Sequence, residues 1–493
     1  MTNRKKTIRN LMLVGTGSDV GKSVLGTAFC RIFLEDGYHP APFKSQNMSL
    51  NSFVTANGGE IGRAQAVQAE ACGIDCHTDM NPVLLKPSSD KTAQVILNGK
   101  IYGNYSAGSY FRGEIKELLF AEAMNAFHRL SEKHNPIVIE GAGSISELNL
   151  KNNDIANMRV AAATNTPVIL VADIERGGVF ASIYGSVQLL DPEERRLIKG
   201  IIINKFRGDI HLFDEGKKII EDLTAIPVLG IIPAFNHIRI EEEDSVSLER
   251  KATFANDNKI NIAVVLLRRL SNFTDFGRLE HDERVQLYYT NNPTELQKAD
   301  IIIIPGSKNT IADLIELRRN GVAAELSRLA RTGKTVIGIC GGFQMMGQRI
   351  EDPNETEGQI KAVPGLNILP VTTILQEEKE TVRSSFYYKN SNDLCSGYEI
   401  HLGKTRLAPE ATPLNRLENG DNEGCRLGDN LWGTYMHGIL DNPSVIEDLL
   451  APFTTTSHTT EDYPAYKQRQ YRLLARHVRE NLDMETIYKI LEA

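Results

Sequence analysis

Cys340 stands between glycines in a pattern that could expose a reactive thiol. The segment Lys334–Gln348 reads KTVIGICGGFQMMGQ, so an apolar, strand-like run leads into the cysteine and a helical pattern follows. Small residues two positions either side of a nucleophile permit a sharp strand-to-helix turn. A cysteine at the start of a helix favours the thiolate, which can attack a carboxamide carbon, form a thioester and release ammonia. We therefore predict that Cys340 is a nucleophile.

A histidine that could serve as the base lies near the end of the chain. The segment Gly433–Gly438 reads GTYMHG and resembles the histidine motif of class I glutaminases. In most of that class a glutamate two residues later orients the histidine, whereas this chain has Ile439 at that position. We expect Cys340 and His437 to act as a dyad, with a backbone carbonyl or another side chain orienting the imidazole.

Attack on a carbonyl also needs hydrogen-bond donors for the oxygen that becomes negatively charged. The turn Pro305–Ser307 follows the apolar run Ile301–Ile304 and could present backbone N–H groups beside the cysteine. We predict an oxyanion hole formed by the backbone of Gly306, Ser307 and Gly341.

The segment Leu11–Ser23 reads LMLVGTGSDVGKS, which is typical of a strand, a phosphate-binding loop and a helix. Backbone N–H groups in such a loop cradle phosphates together with the helix N-terminus. The lysine would reach the β- and γ-phosphates of ATP, and the serine hydroxyl would bind Mg²⁺. The usual spelling has glycine five residues before the last glycine, and this chain has threonine there. The predicted nucleotide contacts are Gly15, Thr16, Gly17, Val20, Gly21, Lys22 and Ser23.

Two carboxylates end predicted strands. Glu140 ends the run IVIE, at the sheet edge where ligands bind in such folds, and we predict that it holds Mg²⁺ together with Ser23. Asp173 ends the run VILVAD and is a candidate for contacting substrate or phosphate. It could equally cap the turn at Gly177–Gly178.

A dense polar run follows the second predicted strand. The segment Pro42–Ser52 reads PFKSQNMSLNS. Lys44, Gln46 and Asn47 could contact substrate or phosphate from an active-site loop, and a solvated turn would explain the same composition equally well.

The elements that must position these residues are short aliphatic runs that alternate with longer helical patterns. Such runs suit strands covered on both faces, and strands separated by helices form parallel sheets. The predicted strands are Leu11–Val14, Pro136–Glu140, Pro167–Ala172, Gly200–Asn204, Ile262–Leu267, Ile301–Ile304 and Val336–Ile339. The predicted fold class is α/β: a P-loop-type, mainly parallel sheet domain, followed by a class I glutamine amidotransferase-like α/β domain.

A charged, weakly periodic stretch between about Ile240 and Lys259 separates the two sets of strands. We predict an ATP-dependent domain at 1–245, a glutaminase domain at 260–455 and a C-terminal helical extension at 456–493. Within the extension, Ala465–Ala493 has helical spacing and predicts a terminal helix.

The composition excludes several classes of protein. The chain has 493 residues, of which 41% are hydrophobic and 24% charged, as in folded globular domains. Its net charge of −8 argues against a nucleic-acid binder with a dominant basic face. No apolar stretch approaches the roughly 20 residues that span a bilayer. We expect a cytoplasmic protein with no nucleic-acid or membrane partner.

The motifs, taken in chain order, resemble those of the cobyric acid synthase family. The phosphate loop and EGAGS also resemble dethiobiotin synthetase, in which a comparable strand-end glutamate binds Mg²⁺. The lack of a glutamate after the catalytic histidine is shared by this branch of amidotransferases. The motifs that carry the resemblance are GTGSDVGKS, PFKSQNMSLNS, EIGRAQAVQAEACG, MNPVLLKP, EGAGS, ADIERGGVFAS, LSNFTDF, PGSKNT, GICGGFQMMG, GYEIHLG and GTYMHG.

This resemblance implies a specific reaction. The family amidates the b, d, e and g carboxylates of adenosylcobyrinic acid a,c-diamide to give adenosylcobyric acid. It implies ATP and Mg²⁺ as cofactors, glutamine as nitrogen donor, an acyl phosphate intermediate and ammonia passed from the second domain. The resemblance leaves open whether the chain forms a homo-oligomer.

Two other functions fit part of the pattern. Cobyrinic acid a,c-diamide synthase shares both domain types, although PFKSQNMSLNS and SNFTDF favour the cobyric branch. A ParA/MinD-like ATPase switch usually carries an early lysine in its phosphate loop, which Gly15–Val20 lacks. Such a switch also gives no reason for a second domain with Cys340 and His437.

Overall fold

The computed structural model describes residues 7–88, 92–111, 115–241, 251–454 and 462–493. These residues form two α/β units, each built around a six-stranded sheet. The predicted α/β fold class, with two mainly parallel central sheets, is confirmed.

The first central sheet is parallel throughout. Aliphatic residues line both of its faces, because Met12 and Val14 pack into one core and Leu11 and Leu13 into another. The carboxyl ends of its parallel strands meet at one edge, which brings the phosphate loop beside Glu140. In spatial order the strands are Val228–Pro233, Ile198–Phe206, Val168–Asp173, Leu11–Gly15, Ile137–Glu140 and Ala41–Phe43.

The second central sheet has five parallel strands and one antiparallel edge strand. Thr335–Ile339 pairs with Leu431–Thr434, so Cys340 and the segment that carries His437 leave neighbouring strands at the same edge. In spatial order the strands are Val285–Thr290, Ile260–Val265, Ile301–Ile304, Thr335–Ile339, Leu431–Thr434 and Cys425–Leu427.

Smaller sheets surround these two cores. One long antiparallel ribbon, Val371–Tyr388 with Leu394–Leu407, lies in the second unit beside Ala362–Pro364, Arg349–Glu351, Asn415–Leu417 and Asn422–Glu423. The first unit has a four-stranded sheet of Gln46–Met48, Val83–Pro87, Thr92–Leu97 and Lys100–Ser106. Two short pairs are Ser52–Val54 with Glu60–Gly62, and Leu270–Ser271 with Gly306–Ser307.

Helices connect the strands and cover the sheets. In the first unit they are Lys22–Glu35, Arg63–Ala71, Ala107–Phe111, Ile115–Ser131, Met158–Thr164, Val179–Gln188, Pro192–Arg195 and Asp214–Thr224. In the second unit they are Gly277–Glu280, Pro293–Lys298, Thr310–Arg319, Val322–Arg331, Gly341–Met346 and Pro443–Leu450. Short 3₁₀ turns include Phe273–Phe276 and Ile439–Asp441.

The prediction of one terminal helix is wrong. The tail forms two helices, Tyr463–Glu480 and Met484–Glu492, because Asp483 caps the second helix by accepting from the backbone N–H of Thr486. The tail also returns to the first unit, where Leu474 and Ile487 share a hydrophobic core with the first strand. The extension therefore packs its core on the first unit, while Tyr463 and Tyr466 also contact Arg278 and His281 of the second unit.

Three of the predicted domain ends lie outside the described residues. They are residue 245, the end of the first domain, residue 455, the end of the second, and residue 456, the start of the extension. Within the described part of the chain, every helix is too short or too polar to cross a membrane.

Candidate active sites

The turn at Cys340 is sharp and strained. Cys340 has φ 53° and ψ −109°, a conformation that side-chain-bearing residues rarely adopt, and it caps the helix Gly341–Met346. Gly342 allows the close approach, because a Cβ there would lie 1.9 Å from the carbonyl oxygen of Ile304. The glycines around the cysteine therefore permit the strand-to-helix turn that the sequence predicts.

The turn does not leave Cys340 exposed to solvent, contrary to our expectation. Only 7% of the residue is accessible. The ribbon strand Leu394–Leu407 lies over it, with Sγ 3.6 Å from the carbonyl oxygen of Ile400. The thiol therefore lies in an enclosed site, from which bulk water is largely excluded.

His437 has a third side chain beside it, so of the two alternatives left open by the sequence, a side chain rather than a backbone carbonyl contacts the imidazole. Nδ1 of His437 lies 2.7 Å from Oδ2 of Asp275, and both side chains are buried. The other carboxylate oxygen accepts a hydrogen bond from the backbone N–H of Gly438, at 3.0 Å. Asp275 is thus fixed at two points and orients the imidazole, a role that the sequence had left without a residue.

Asp275 also changes the electrostatics of the histidine. Burial alone would lower the pKa of His437, but the carboxylate of Asp275 and the neighbouring Cys340 raise it to about 10. A buried carboxylate that favours the imidazolium makes His437 a stronger proton acceptor.

The predicted oxyanion-hole residues lie beside Cys340. Gly306–Ser307 forms a short antiparallel pair with Leu270–Ser271. A Cβ on Gly341 would lie 2.8 Å from the backbone nitrogen of Ser307, so the two backbone segments are in close contact. This geometry brings the backbone of Ser307 close to Gly341, the residue that follows the nucleophile, and the oxyanion hole itself stays a prediction.

In the first unit the phosphate loop closes around the amino group of Lys22. Nζ donates to the carbonyl oxygens of Gly17 and Gly143, at 2.9 Å each. Burial, and then the nearby Lys44, lower the pKa of Lys22 to about 8. An anion bound in the loop would be a favourable partner for this crowded group of cations.

Neighbouring strands hold the rest of the loop. The backbone N–H of Thr16 donates to Val171 O at 3.0 Å, and Asn204 Nδ2 donates to Val20 O at 2.8 Å. Gly21 has φ 98° and faces Asn204 so closely that a Cβ would lie 2.1 Å from the amide nitrogen. Gly21 is therefore required both by its backbone conformation and by the close packing.

Glu140 is the centre of a buried polar cluster. Its Oε1 accepts from Ser23 Oγ and from Lys44 Nζ, at 2.7 Å each, and its Oε2 accepts from Gln68 Nε2 at 2.6 Å. Burial raises the pKa of Glu140, but the charge and hydrogen bond of Lys44 lower it overall. The cluster therefore keeps a carboxylate ionised at the mouth of the phosphate loop.

This donor set fits Mg²⁺. The ion is commonly bound by one or two protein oxygens together with waters and substrate phosphates. Ser23 Oγ and Glu140 Oε1 are already 2.7 Å apart and could both face one small cation. Among the described residues there is no group of three acidic, histidine or cysteine side chains that would form a complete metal site.

The remaining candidates have partners in the first unit. Gln46 accepts from Tyr110 and Lys116, and Asn47 donates to Gln65 Oε1 at 3.1 Å. Both residues belong to the strand Gln46–Met48, so this part of the segment is packed in a sheet and is not a solvated turn.

Asp173 has two roles. Its Oδ1 accepts from the backbone N–H of Glu175 at 2.8 Å, and its Oδ2 pairs with Lys205 at 2.9 Å. Lys205 also donates to the carbonyl oxygen of Asp19 in the phosphate loop. Asp173 thus caps its own turn and supports the loop through Lys205.

A cavity of about 850 Å³ lies beside the phosphate loop and Glu140. Lys22, Ser23, Lys44 and Glu140 line it, and its wall reaches Leu270 of the second unit. Of the described residues that line this cavity, none is Cys340 or His437. The chain therefore contains two separate constellations, one suited to phosphate chemistry and one to nucleophilic attack.

Sequence reasoning missed three side chains that complete these sites. Asp275 lies within LSNFTDF and Gln68 within EIGRAQAVQAEACG. Lys205 lies near the end of the strand Ile198–Phe206, which pairs with the strand that ends at Asp173. Two of the three belong to motifs that carried the family resemblance, so the motifs were a usable signal, although nothing in their spacing assigned a role.

Comparisons with known protein families match both units. Residues 11–248 match the family model described as "CobQ/CobB/MinD/ParA nucleotide binding domain". Residues 261–445 match the model described as "CobB/CobQ-like glutamine amidotransferase domain". The order of the two domains is the one predicted.

Curated relatives match the chain from end to end. Proteins named cobyric acid synthase from Phocaeicola vulgatus and Parabacteroides distasonis are each 58% identical to this chain. The matches cover 99% of this chain, and 99% and 100% of the two relatives. A cobyric acid synthase from Syntrophobacter fumaroxidans is 44% identical over 98% of both chains.

Solved structures give weaker matches. The PurLQS structure from Thermotoga maritima aligns with a TM-score of 0.31 and 16% identity, over 40% of this chain and 100% of that one. A score of this size carries no argument about the fold or the reaction.

Proposed function

The chain belongs to the cobyric acid synthase family of glutamine-dependent amide ligases, and we propose that it converts adenosylcobyrinic acid a,c-diamide to adenosylcobyric acid. In this proposal the b, d, e and g carboxylates are amidated with ATP and with ammonia released from glutamine.

One observation carries the proposal. In one unit of the chain, Ser23 and Lys44 bond to the buried Glu140 beside a large cavity. In the other unit, Cys340 lies beside a His437–Asp275 pair. Activation of a carboxylate and release of ammonia need different groups, and each unit supplies one set.

In the second unit, His437 would take the proton of the Cys340 thiol, and the resulting thiolate would attack the carboxamide carbon of glutamine. The oxygen that gains charge would be stabilised by backbone N–H groups from Gly306, Ser307 and Gly341. His437 would then give its proton to the departing ammonia, and water would cleave the γ-glutamyl thioester to glutamate. Asp275 would keep Nδ1 protonated throughout, so that Nε2 remains the atom that moves the proton.

In the first unit, the phosphate loop from Gly15 to Gly21 would hold the phosphates of ATP, and Lys22 would offset the charge of the γ-phosphoryl group. Ser23 and Glu140 would hold Mg²⁺, which when bound supplies further charge neutralisation at the phosphates.

A substrate carboxylate would attack the γ-phosphorus, forming an acyl phosphate and releasing ADP. Ammonia would then attack the acyl carbon, and inorganic phosphate would leave. Lys44 lines the cavity and pairs with Glu140, and in this proposal it would contact an anionic substrate.

The test is to incubate the enzyme with adenosylcobyrinic acid a,c-diamide, ATP, Mg²⁺ and glutamine and to follow the corrinoid by mass spectrometry. Four successive acid-to-amide changes are expected. Amidation of cobyrinic acid at two positions, with the a,c-diamide left unchanged, would instead show a cobyrinic acid a,c-diamide synthase. A cytoplasmic location and a homo-oligomeric state stay predictions.

A further inference from the structure

One segment of the first unit reaches from the phosphate site to the histidine of the second unit. It begins at Lys44, whose Nζ lies 2.7 Å from Oε1 of Glu140. Eight residues later, the backbone N–H of Ser52 donates to Oδ1 of Asn272 in the second unit, at 3.0 Å. Ser52 and Asn272 are both buried. The coupling segment, residues 44–52, is therefore in contact with both sites.

Asn272 in turn contacts the catalytic histidine. Its Nδ2 lies 3.3 Å from Nε2 of His437. The backbone N–H of Ser52 can only donate, so it fixes which end of the Asn272 amide is the oxygen and turns the NH₂ group toward the imidazole. While Nε2 carries no proton, it can accept from this NH₂ group, so the contact holds the ring in place without setting its charge. Asp275 on the other ring nitrogen favours the same tautomer, which is the one that can accept the proton of Cys340.

Other contacts also join the coupling segment to the part of the second unit around His437. Asn51 Oδ1 accepts from the backbone N–H of Phe273 at 2.9 Å. Tyr398 lies almost parallel to the imidazole of His437, with ring centroids 5.3 Å apart, and its hydroxyl contacts the carbonyl oxygen of Ser52. The position of Asn272 is thus set by backbone and side-chain groups of the other unit.

The coupling segment also forms part of the cavity wall. Lys44, Ser49 and Asn51 line the same 850 Å³ cavity as the phosphate loop. A molecule that fills the cavity must therefore contact the segment that holds Asn272.

We propose that Asn272 is a positioning residue for glutamine hydrolysis, held by the coupling segment, so that the rate of hydrolysis depends on what occupies the cavity of the first unit. Asn272 acts through His437 and does not itself react. This inference rests on the proposed function, because it takes ATP and the corrinoid to be the occupants of the cavity.

The experiment measures glutamate release by the full-length chain with and without ATP, Mg²⁺ and adenosylcobyrinic acid a,c-diamide. The wild-type rate is expected to rise when these ligands are added. Asn272→Gly keeps the left-handed backbone of Asn272, which has φ 53°, and removes only the side chain. Its kcat is expected to fall about tenfold, the equivalent of one lost hydrogen bond, with the KM for glutamine little changed.

Variants of Asn51 test the coupling between the two units separately from the hydrolysis of glutamine. Asn51→Ala removes the acceptor for the backbone N–H of Phe273, and the ligands should then no longer raise the rate. Asn51→Asp keeps an acceptor oxygen and should restore the response. Arg383→Ala is the matched control, because Arg383 also bridges the units, donating to Val54 O at 2.7 Å, yet does not contact Asn272. It should respond to ligands as the wild type does.

Three outcomes would overturn the inference: a wild-type rate that ignores the ligands, an Asn51→Ala variant that still responds, or loss of the response in Arg383→Ala as well. Amidation of the corrinoid with ammonium chloride is measured on the wild type in parallel. This measurement distinguishes failure of the proposed function from failure of the coupling inference. If the wild type does not amidate the corrinoid even with ammonia, the proposed function fails. If it does and the response is unaffected in Asn51→Ala, only the coupling inference fails.

Discussion

Nδ1 of His437 and Oδ2 of Asp275 are 2.7 Å apart, although 162 residues separate them in sequence. The contact leaves Nε2 as the ring nitrogen that can exchange a proton with Cys340. The second unit therefore has a complete Cys–His–Asp arrangement, in which Asp275 takes the place of the glutamate that class I glutaminases usually carry two residues after the histidine.

Asp275→Asn should abolish most glutamine hydrolysis while leaving the fold intact. The amide would turn an NH₂ group toward Nδ1 and favour the tautomer with its proton on Nε2, which cannot act as base. A fall in kcat of roughly two to four orders of magnitude is expected. The measurement is glutamate release, with Asp429→Asn, at an exposed carboxylate, as control. A normal rate in Asp275→Asn would remove Asp275 from the mechanism.

Lys22→Ala should lose amidation with either glutamine or ammonia as nitrogen donor. The buried amino group lies inside the phosphate loop, where it would offset the charge of the transferring phosphoryl group. Glutamine hydrolysis should survive at least in part. Lys199→Ala, at an exposed lysine of the same unit, should retain both activities. Robust ATP-dependent amidation by Lys22→Ala would contradict the assignment of the loop.

Glu140→Gln should raise the Mg²⁺ concentration needed for amidation. The amide keeps the shape of the side chain but removes the negative charge that would face the cation beside Ser23. A Mg²⁺ titration of the initial rate measures the shift, and circular dichroism checks that the variant is folded, because Lys44 loses its buried partner. An unchanged titration would return Glu140 to a purely structural role.

Glu423 should make stability depend on pH. Burial raises its pKa to about 7, although it accepts hydrogen bonds from Tyr435 N and Thr434 Oγ1. Its contribution to the free energy of unfolding is present below about pH 4.5, the ordinary value for glutamate, and is lost as the pH rises through about 7.

The test compares urea unfolding of the wild type and Glu423→Gln between pH 4.5 and 8. The free energy of unfolding of the variant should fall less over this range, because glutamine does not ionise. Glu418→Gln, at an exposed carboxylate, should follow the wild type. Parallel curves for the wild type and Glu423→Gln would show that Glu423 does not titrate in the predicted way.

The central strands could be predicted because their residues report directly on burial. Ile301–Ile304 is an uninterrupted aliphatic run and forms a strand with the predicted bounds. The ribbon strand Val371–Tyr388 was not predicted, because its middle is charged and half-buried and shows no strict alternation. Its conformation is set by pairing with Leu394–Leu407 rather than by its own residues.

The candidate sites likewise contain some residues that the sequence predicts and others that it does not. Cys340 and Lys22 are carried by local turns whose glycines can be recognised from spacing alone. Asp275 and Gln68 reach their partners only through the tertiary fold, and no local pattern relates either residue to its partner. The return of the C-terminal helices to the first unit is likewise decided by a shared core, in which Leu474 and Ile487 pack against residues far away in sequence.

The most direct test of the division of labour between the two units is amidation by Cys340→Ala with two nitrogen donors. Free ammonia is itself a nucleophile, so acyl phosphate chemistry in the first unit does not need the thiol or its base. Folded Cys340→Ala should therefore lose amidation of adenosylcobyrinic acid a,c-diamide with glutamine and retain it with ammonium chloride, most visibly at higher pH, where more NH₃ is unprotonated. Normal use of glutamine by Cys340→Ala would contradict the glutaminase assignment, and loss of both activities would contradict the separation of the two sites.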